Sequence, residues 1–176
     1  MSSARARERN LVLVGFMGTG KTTVGRLLAA ELDLELVDTD ALIEDRHGPI
    51  PQIFETVGET GFRALEREVA AELGQGGGLV IATGGRMVLD PENERVLSRN
   101  GRIFCLTASP DEILRRLGDD IVDRPLLGGD DPERRIVELL AERRPGYRRF
   151  RQIDTDGKSP AQIAAEIARL WREDDV

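Results

Sequence analysis

The chain is almost without lysine: 25 residues are basic, and all but Lys21 and Lys158 are arginine. A general bias toward arginine accounts for most of this. Yet one of the two lysines falls in a glycine-rich segment, where a compact ammonium on a flexible stem has a chemical use. Cysteine is scarcer still. Cys105 is alone, which excludes an internal disulfide and fits a reducing compartment. No apolar run approaches the roughly 20 residues that a membrane-spanning helix needs. Aromatic residues make up only 4%, so the core must be mainly aliphatic. Positive charge is in deficit too. A net charge of −7 excludes the broad basic footprint of a nucleic-acid-binding protein. It leaves room for a small anionic ligand, since a few converging cations make a local site inside an acidic protein.

What is present, over 176 residues, fits one domain. Residues 1–9 are polar and arginine-rich, with no apolar stretch of the signal-peptide kind. They are expected to form a flexible leader to a cytoplasmic, monomeric protein whose domain runs over 10–173. Short apolar runs at 11–14, 35–37, 79–82, 102–106 and 152–154 alternate with helical patterns. That alternation predicts an α/β fold with a parallel sheet covered on both faces. Val24, Leu27, Leu28 and Leu32 share one face of the helix after the first strand. Phe62, Leu65, Val69 and Leu73 do so for a helix starting near Gly58, and Ile163, Ile167, Leu170 and Trp171 for the last one. Ser109-Pro110-Asp111-Glu112 and Ser159-Pro160-Ala161-Gln162 are matching helix starts, each with a serine cap, proline at the first position and Glu or Gln three residues on. A helix from about Asp131 is expected to end before Pro145, with Arg143 near its C-terminus. Residues 74–78 read as a plain glycine-rich connection. Residues 118–131, polar with glycine at both ends, read as a mobile lid carrying Arg124-Pro125, the alternative being an irregular surface loop.

Gly15-Phe-Met-Gly-Thr-Gly-Lys21-Thr22 matches G-x-x-x-x-G-K-[ST], with a strand leading in and an amphipathic helix leading out. The glycines let the backbone curl so that successive N–H groups face phosphates, and the helix start adds its positive end. This makes the fold a three-layer P-loop one that binds a nucleoside triphosphate. Lys21 reaches the β- and γ-phosphates, and the Thr22 hydroxyl can ligate Mg²⁺. A GTPase would carry an N-K-x-D segment, which this chain lacks. A motor ATPase would need partner domains.

The second strand ends in Asp38-Thr39-Asp40, and residues two apart on a strand point the same way. At the carboxyl end of a parallel strand both carboxylates face the ligand crevice. One orders Mg²⁺ and the other orients or deprotonates an acceptor hydroxyl, unless one simply caps the following helix. Arg63 is placed to pair with Glu59 one turn earlier, and Arg143 to neutralise its helix C-terminus; two arginines from different helices are also the natural clamp for a carboxylate. His47, the only histidine, has no partner pattern and reads as a surface residue.

The runs GFMGTGKTTVGRLLAAEL, VDTDALIE, IFETVGETGFRALE, IATGG, DRPLL and ERRPGY, in that order, closely resemble the shikimate kinase family over residues 11–147. The resemblance implies a five-stranded parallel sheet of the nucleoside-monophosphate-kinase type and ATP-dependent phosphorylation of a hydroxyl on a cyclic hydroxy-acid. It implies that Gly18, Thr19, Gly20, Lys21, Thr22 and Thr23 bind ATP with Arg124 and Lys158. Thr22 and Asp38 would hold Mg²⁺, Asp40 would be the base, Lys21 would assist catalysis, and Asp40, Arg63, Gly84, Gly85 and Arg143 would bind the acceptor.

The pattern breaks at Arg86. The family's third strand normally ends in three glycines, and this chain reads Thr83-Gly84-Gly85-Arg86. Such an arginine either points away, or enters the acceptor pocket as a third cation and favours a different acceptor. A homologue that binds a metabolite without turnover is the remaining alternative; the intact set Lys21, Thr22, Asp38 and Asp40 weighs against it.

Overall fold

The computed structural model describes residues 8–118 and 131–173. Alternation along the first strand, β1 (Asn10–Gly15), sets the architecture. Leu11 and Leu13 face one side, Val12 and Val14 the other, and all four are fully buried. A strand apolar on both faces needs a helical layer on each, and every aliphatic side chain so buried stabilises the fold by about 1.5–3 kcal/mol. The chain supplies the layers in order: α1 (Lys21–Leu32), β2 (Glu35–Asp38), α2 (Thr39–His47), α3 (Ile50–Leu73), β3 (Leu79–Ala82), α4 (Pro91–Arg99), β4 (Gly101–Thr107), α5 (Pro110–Leu117), α6 (Pro132–Tyr147), β5 (Arg151–Asp154) and α7 (Pro160–Glu173). The five strands are parallel, in the order β2-β3-β1-β4-β5. Val12, Val14, Ile81, Ile103 and Cys105 pack with α3, α4 and α6; Leu11, Leu13, Val80, Phe104 and Leu106 pack with α1 and α7. Because the chain passes from β3 to β4 across the central β1, connections diverge at the carboxyl end of β1, which opens the crevice used below.

All five expected strands are present, each within one residue of its expected ends. Several helices differ from expectation for identifiable reasons. Leu27 is 40% exposed rather than buried. Helix α1 is rotated so that Val24, Gly25, Leu28 and Ala29 meet the sheet. Gly25 allows the close approach, since a Cβ there would lie 2.9 Å from Leu36 Cδ1. The α3 span Ile50–Leu73 is two helices joined across a kink at Gly58 (φ 69°, ψ −176°), so the helix expected from near Gly58 does start there, and the shorter one before it from Ile50 is the addition. Helix α6 runs through Pro145 to Tyr147. Proline there gives up one backbone bond in a last turn that the buried Tyr147 ring anchors and Arg148 N–H closes onto Arg144 O at 3.0 Å.

The matching helix starts diverge as well. Ser159 and Gln162 form a reciprocal capping box, with bonds of 2.8 and 3.3 Å. Ser109 accepts from Glu112 N–H at 3.3 Å, but its own N–H goes to Asp156. The 74–78 connection is stitched to β1 by the buried Asn10, whose Nδ2 donates to Leu73 O and Gly76 O, both at 3.0 Å. Glu8 and Arg9, the last residues of the expected leader, are held by bonds from Asn100 Nδ2 to Glu8 O (2.7 Å) and from Gly78 N–H to Arg9 O (3.0 Å). Most of the expected lid, residues 119–130 with Arg124, lies outside the described residues. No described helix is long and apolar enough to cross a membrane.

Candidate active site

Between β1 and α1 the backbone takes left-handed angles at Gly15 (φ 137°), Gly18 (φ 76°) and Gly20 (φ 93°), which only glycine adopts without strain. The loop so formed sits at the amino end of the 12-residue α1, a natural anion site. Its curl is braced from within. Thr19 donates its hydroxyl to Phe16 O at 2.7 Å, and Lys21 Nζ donates to Gly15 O and Phe16 O at 2.9 Å each. A cavity of about 730 Å³ opens above it. Gly18, Thr19, Gly20, Lys21, Thr22, Thr23, Asp38 and Lys158, all expected on the donor side, line its wall. Lys158 also pairs with Glu166 at 2.9 Å.

Thr22 donates its hydroxyl to Asp38 Oδ2 at 2.6 Å. Oδ1 of the same carboxylate accepts from the N–H groups of Asp40 and Ala41, at 3.1 and 3.2 Å, and so caps α2. Asp38 therefore caps α2, the alternative considered for it, while its other oxygen holds the Thr22 hydroxyl on the cavity wall. Among the described residues no three acidic, His or Cys side chains cluster to cage a metal. A lone carboxylate and a hydroxyl beside a phosphate loop is instead the sparse oxygen donor set that suits Mg²⁺, which keeps waters and takes phosphate oxygens as further ligands.

Asp40 lies two residues beyond the end of the strand, in the first turn of α2. The expectation that strand alternation aims Asp38 and Asp40 together is thus corrected: the strand ends at Asp38, and it is the turn into α2 that brings both onto the wall of the donor cavity. Asp40 also lines a second cavity of about 480 Å³, with Phe54, Phe62, Arg63, Gly84, Gly85 and Arg143. Every expected acceptor residue is on that wall. Gly84 passes directly under Asp40, so that a Cβ on it would lie 2.5 Å from Asp40 Oδ1.

Two arginines reach the acceptor cavity from α3 and α6 in different states. Arg63 is paired: its Nη1 donates to Glu66 at 2.6 Å and its Nη2 to Glu59 at 3.1 Å. The one-turn pair with Glu59 is therefore real, alongside a place on the cavity wall. Glu66 is 2% exposed, and burial pushes its carboxyl above the ordinary range, with the Arg63 hydrogen bond opposing. Arg143 is 2% exposed and does not sit at the helix end in solvent. Its Nε and Nη2 have no hydrogen-bond partner among the described residues. A buried cation with two open donors, facing a cavity, calls for an anion. Tyr147, one turn later, donates to Gly85 O, and burial raises its hydroxyl to about 12.

Arg86 does not point away. It adopts ordinary helical angles (φ −102°, ψ −9°), so a side chain at this position is unstrained. It lies 40% exposed on the acceptor wall, 3.6 Å from Glu59. His47 is exposed, as expected.

Sequence reasoning missed Arg115 and Arg116, which line the donor cavity. Arg116 donates to Thr155 O at 2.7 Å, to Thr155 Oγ1 at 3.0 Å and to the carbonyls of Gly18 and Thr19 at 3.4 Å. It ties the phosphate loop to the connection after β5 across the tertiary fold, where no local sequence pattern points to it.

A phosphate loop whose cavity meets a cation-lined one at a shared carboxylate defines a P-loop phosphotransferase. The Shikimate kinase family profile matches residues 17–171. A shikimate kinase of Caldicellulosiruptor saccharolyticus is 48% identical over 164 residues, covering 92% of this chain and 95% of its own. A shikimate kinase from Acinetobacter baumannii, solved in complex with shikimate, is 38% identical with a TM-score of 0.91 and covers 99% of both chains. One from Aquifex aeolicus is 32% identical with a TM-score of 0.78, covering 94% of this chain and 98% of its own. The chain belongs to the shikimate kinase family.

Proposed function

We propose that this chain transfers the γ-phosphoryl group of ATP to the 3-hydroxyl of shikimate. The observation that carries the reading is the position of Asp40 on the walls of both cavities, between the phosphate loop and the arginines. The loop amides and Lys21 hold the triphosphate. Thr22 and Asp38 hold Mg²⁺, which supplies charge neutralisation for the polyphosphate when bound. Arg143, with Arg63, takes the acceptor carboxylate and fixes the ring, while the Gly84-Gly85 backbone borders it. Asp40 accepts the proton of the acceptor hydroxyl as that oxygen bonds to the γ-phosphorus. The bond from phosphorus to the β,γ-bridging oxygen breaks, and ADP leaves. Arg124 is assigned to the nucleotide phosphates and Lys158 to the adenine side on family resemblance.

The enzyme acts as a cytoplasmic monomer on this reading. In support, the lone thiol of Cys105 is buried and pushed up to about 11 by that burial, which keeps it from joining two copies through a disulfide. The deciding experiment is coupled detection of ADP release with shikimate as acceptor. Saturable turnover of another hydroxy-acid with none of shikimate overturns the reading.

A further inference from the structure

Arg63 is already engaged before any acceptor arrives. Its Nη1 holds Glu66, while Nη2 and Nε both reach Glu59 Oε1, at 3.1 and 3.4 Å. The edge formed by Nε and Nη2, which offers a carboxylate two parallel donors, is therefore taken. An acceptor carboxylate that uses this edge must displace Glu59, and it is repelled by Glu59 while it stays.

The two carboxylates on Arg63 are not equally movable. Glu66 is 2% exposed, and drawing it off would strand a buried charge. Glu59 is 58% exposed and has a second cation at hand, for Arg86 Nη1 lies 3.6 Å from the same Oε1. That oxygen thus sits between two guanidiniums, one on the clamp and one on the rim. Arg86 holds this place on an unstrained backbone where the family pattern has glycine.

The geometry points to Arg86 as a positioning residue that takes Glu59 from Arg63 when the acceptor carboxylate binds. The exchange keeps Glu59 paired, removes its charge from the clamp, and frees the Nε–Nη2 edge for the substrate. Arg86 then acts on the acceptor through Glu59 rather than by touching it. The inference rests on the reading of the chain as a kinase of a carboxylate-bearing acceptor.

The test is a double-mutant cycle in initial rates, with shikimate varied at saturating ATP. It uses the wild type, Arg86→Gly, Glu59→Gln and the double variant, with thermal unfolding of each as a control. Arg86→Gly should raise the acceptor KM about three- to fivefold, the range open to an exposed ion pair, with kcat and the ATP KM unchanged. Arg86→Lys should restore most of the loss. In the Glu59→Gln background, Arg86→Gly should add nothing. An equal rise in both backgrounds would mean direct attraction of the acceptor and would overturn the exchange. So would an unchanged or lowered KM in the Arg86→Gly single variant, or a loss confined to kcat. If the wild type does not turn over shikimate at all, the functional reading fails first and the exchange goes with it.

Discussion

The guanidinium carbon of Arg143 lies 5.2 Å from the centroid of the Phe16 ring, so the second residue of the phosphate loop is also a wall of the acceptor clamp. Donor and acceptor halves share a side chain as well as a carboxylate. Arg143 is held there by the Phe16 ring and the Tyr147 hydroxyl, with two nitrogens unsatisfied among the described residues. Such a charge costs stability in the free protein and is recovered on binding an anion. Arg143→Met should therefore raise the acceptor KM at least roughly tenfold, the scale of a charge-assisted hydrogen bond, while leaving the thermal midpoint unchanged or higher. Steady-state kinetics and calorimetry on the same preparation check both halves; a large stability loss with an unchanged KM would refute the assignment.

The double duty of Asp38 can be separated by substitution. Asp38→Asn keeps an oxygen for the N–H groups of Asp40 and Ala41, so the start of α2 should survive; Asp38→Ala removes the cap and should cost about 1 kcal/mol. Both should shift the Mg²⁺ dependence of turnover to higher concentration, as should Thr22→Val, because each would remove a proposed ligand. Metal titration of the initial rate, beside denaturant unfolding, distinguishes the two effects.

Gly84→Ala tests the contact beneath the proposed base. Its Cβ would stand 2.5 Å from Asp40 Oδ1, which forces the carboxylate to move. We expect kcat to fall by about tenfold or more with the ATP KM little changed, since a small misplacement at the reacting centre is costly. Normal kcat in this variant would remove Asp40 from the proton-accepting role.

Stability should fall on the alkaline side through Tyr147. Its hydroxyl is raised to about 12 in the folded protein against an ordinary value near 10, so the folded state holds its proton more tightly than the unfolded state. The associated stability is complete below about pH 10 and is lost as pH rises toward 12. Tyr147→Phe should flatten that decline while lowering stability at neutral pH, because Gly85 O loses its donor. Parallel melting curves from pH 7 upward decide it.

Glu66 gives a second pH signature of the same sign at lower pH. Burial raises its carboxyl, so the folded state is penalised as pH rises above the ordinary value of 4.5. Glu66→Gln should weaken that slope, and melting curves from pH 4 to 7 would show it.

What the sequence made legible was what depends on local geometry. The loop of residues 15–22 could be assigned because its glycines, lysine and threonine act within one turn of chain, and the strands because both-face burial leaves a continuous apolar run. Asp38 and Asp40 do line one cavity together, though not for the reason expected, since the strand ends at Asp38. Arg63 with Glu59 was readable as a one-turn pair, whereas the buried Glu66 on its other side was not singled out. Arg116 and the Arg143–Phe16 stack depend on elements distant in sequence, and no periodicity marks them. Pro145 misled because its cost was counted without the Tyr147 anchor that offsets it.

Lys21 and Lys158 line the same cavity. Apart from the α-amino group, every primary amine in the chain therefore faces the nucleotide side. A reagent that acylates lysines indiscriminately on ordinary proteins becomes site-directed on this one. The extent of its reaction, read by mass spectrometry, would report nucleotide occupancy without any engineered label.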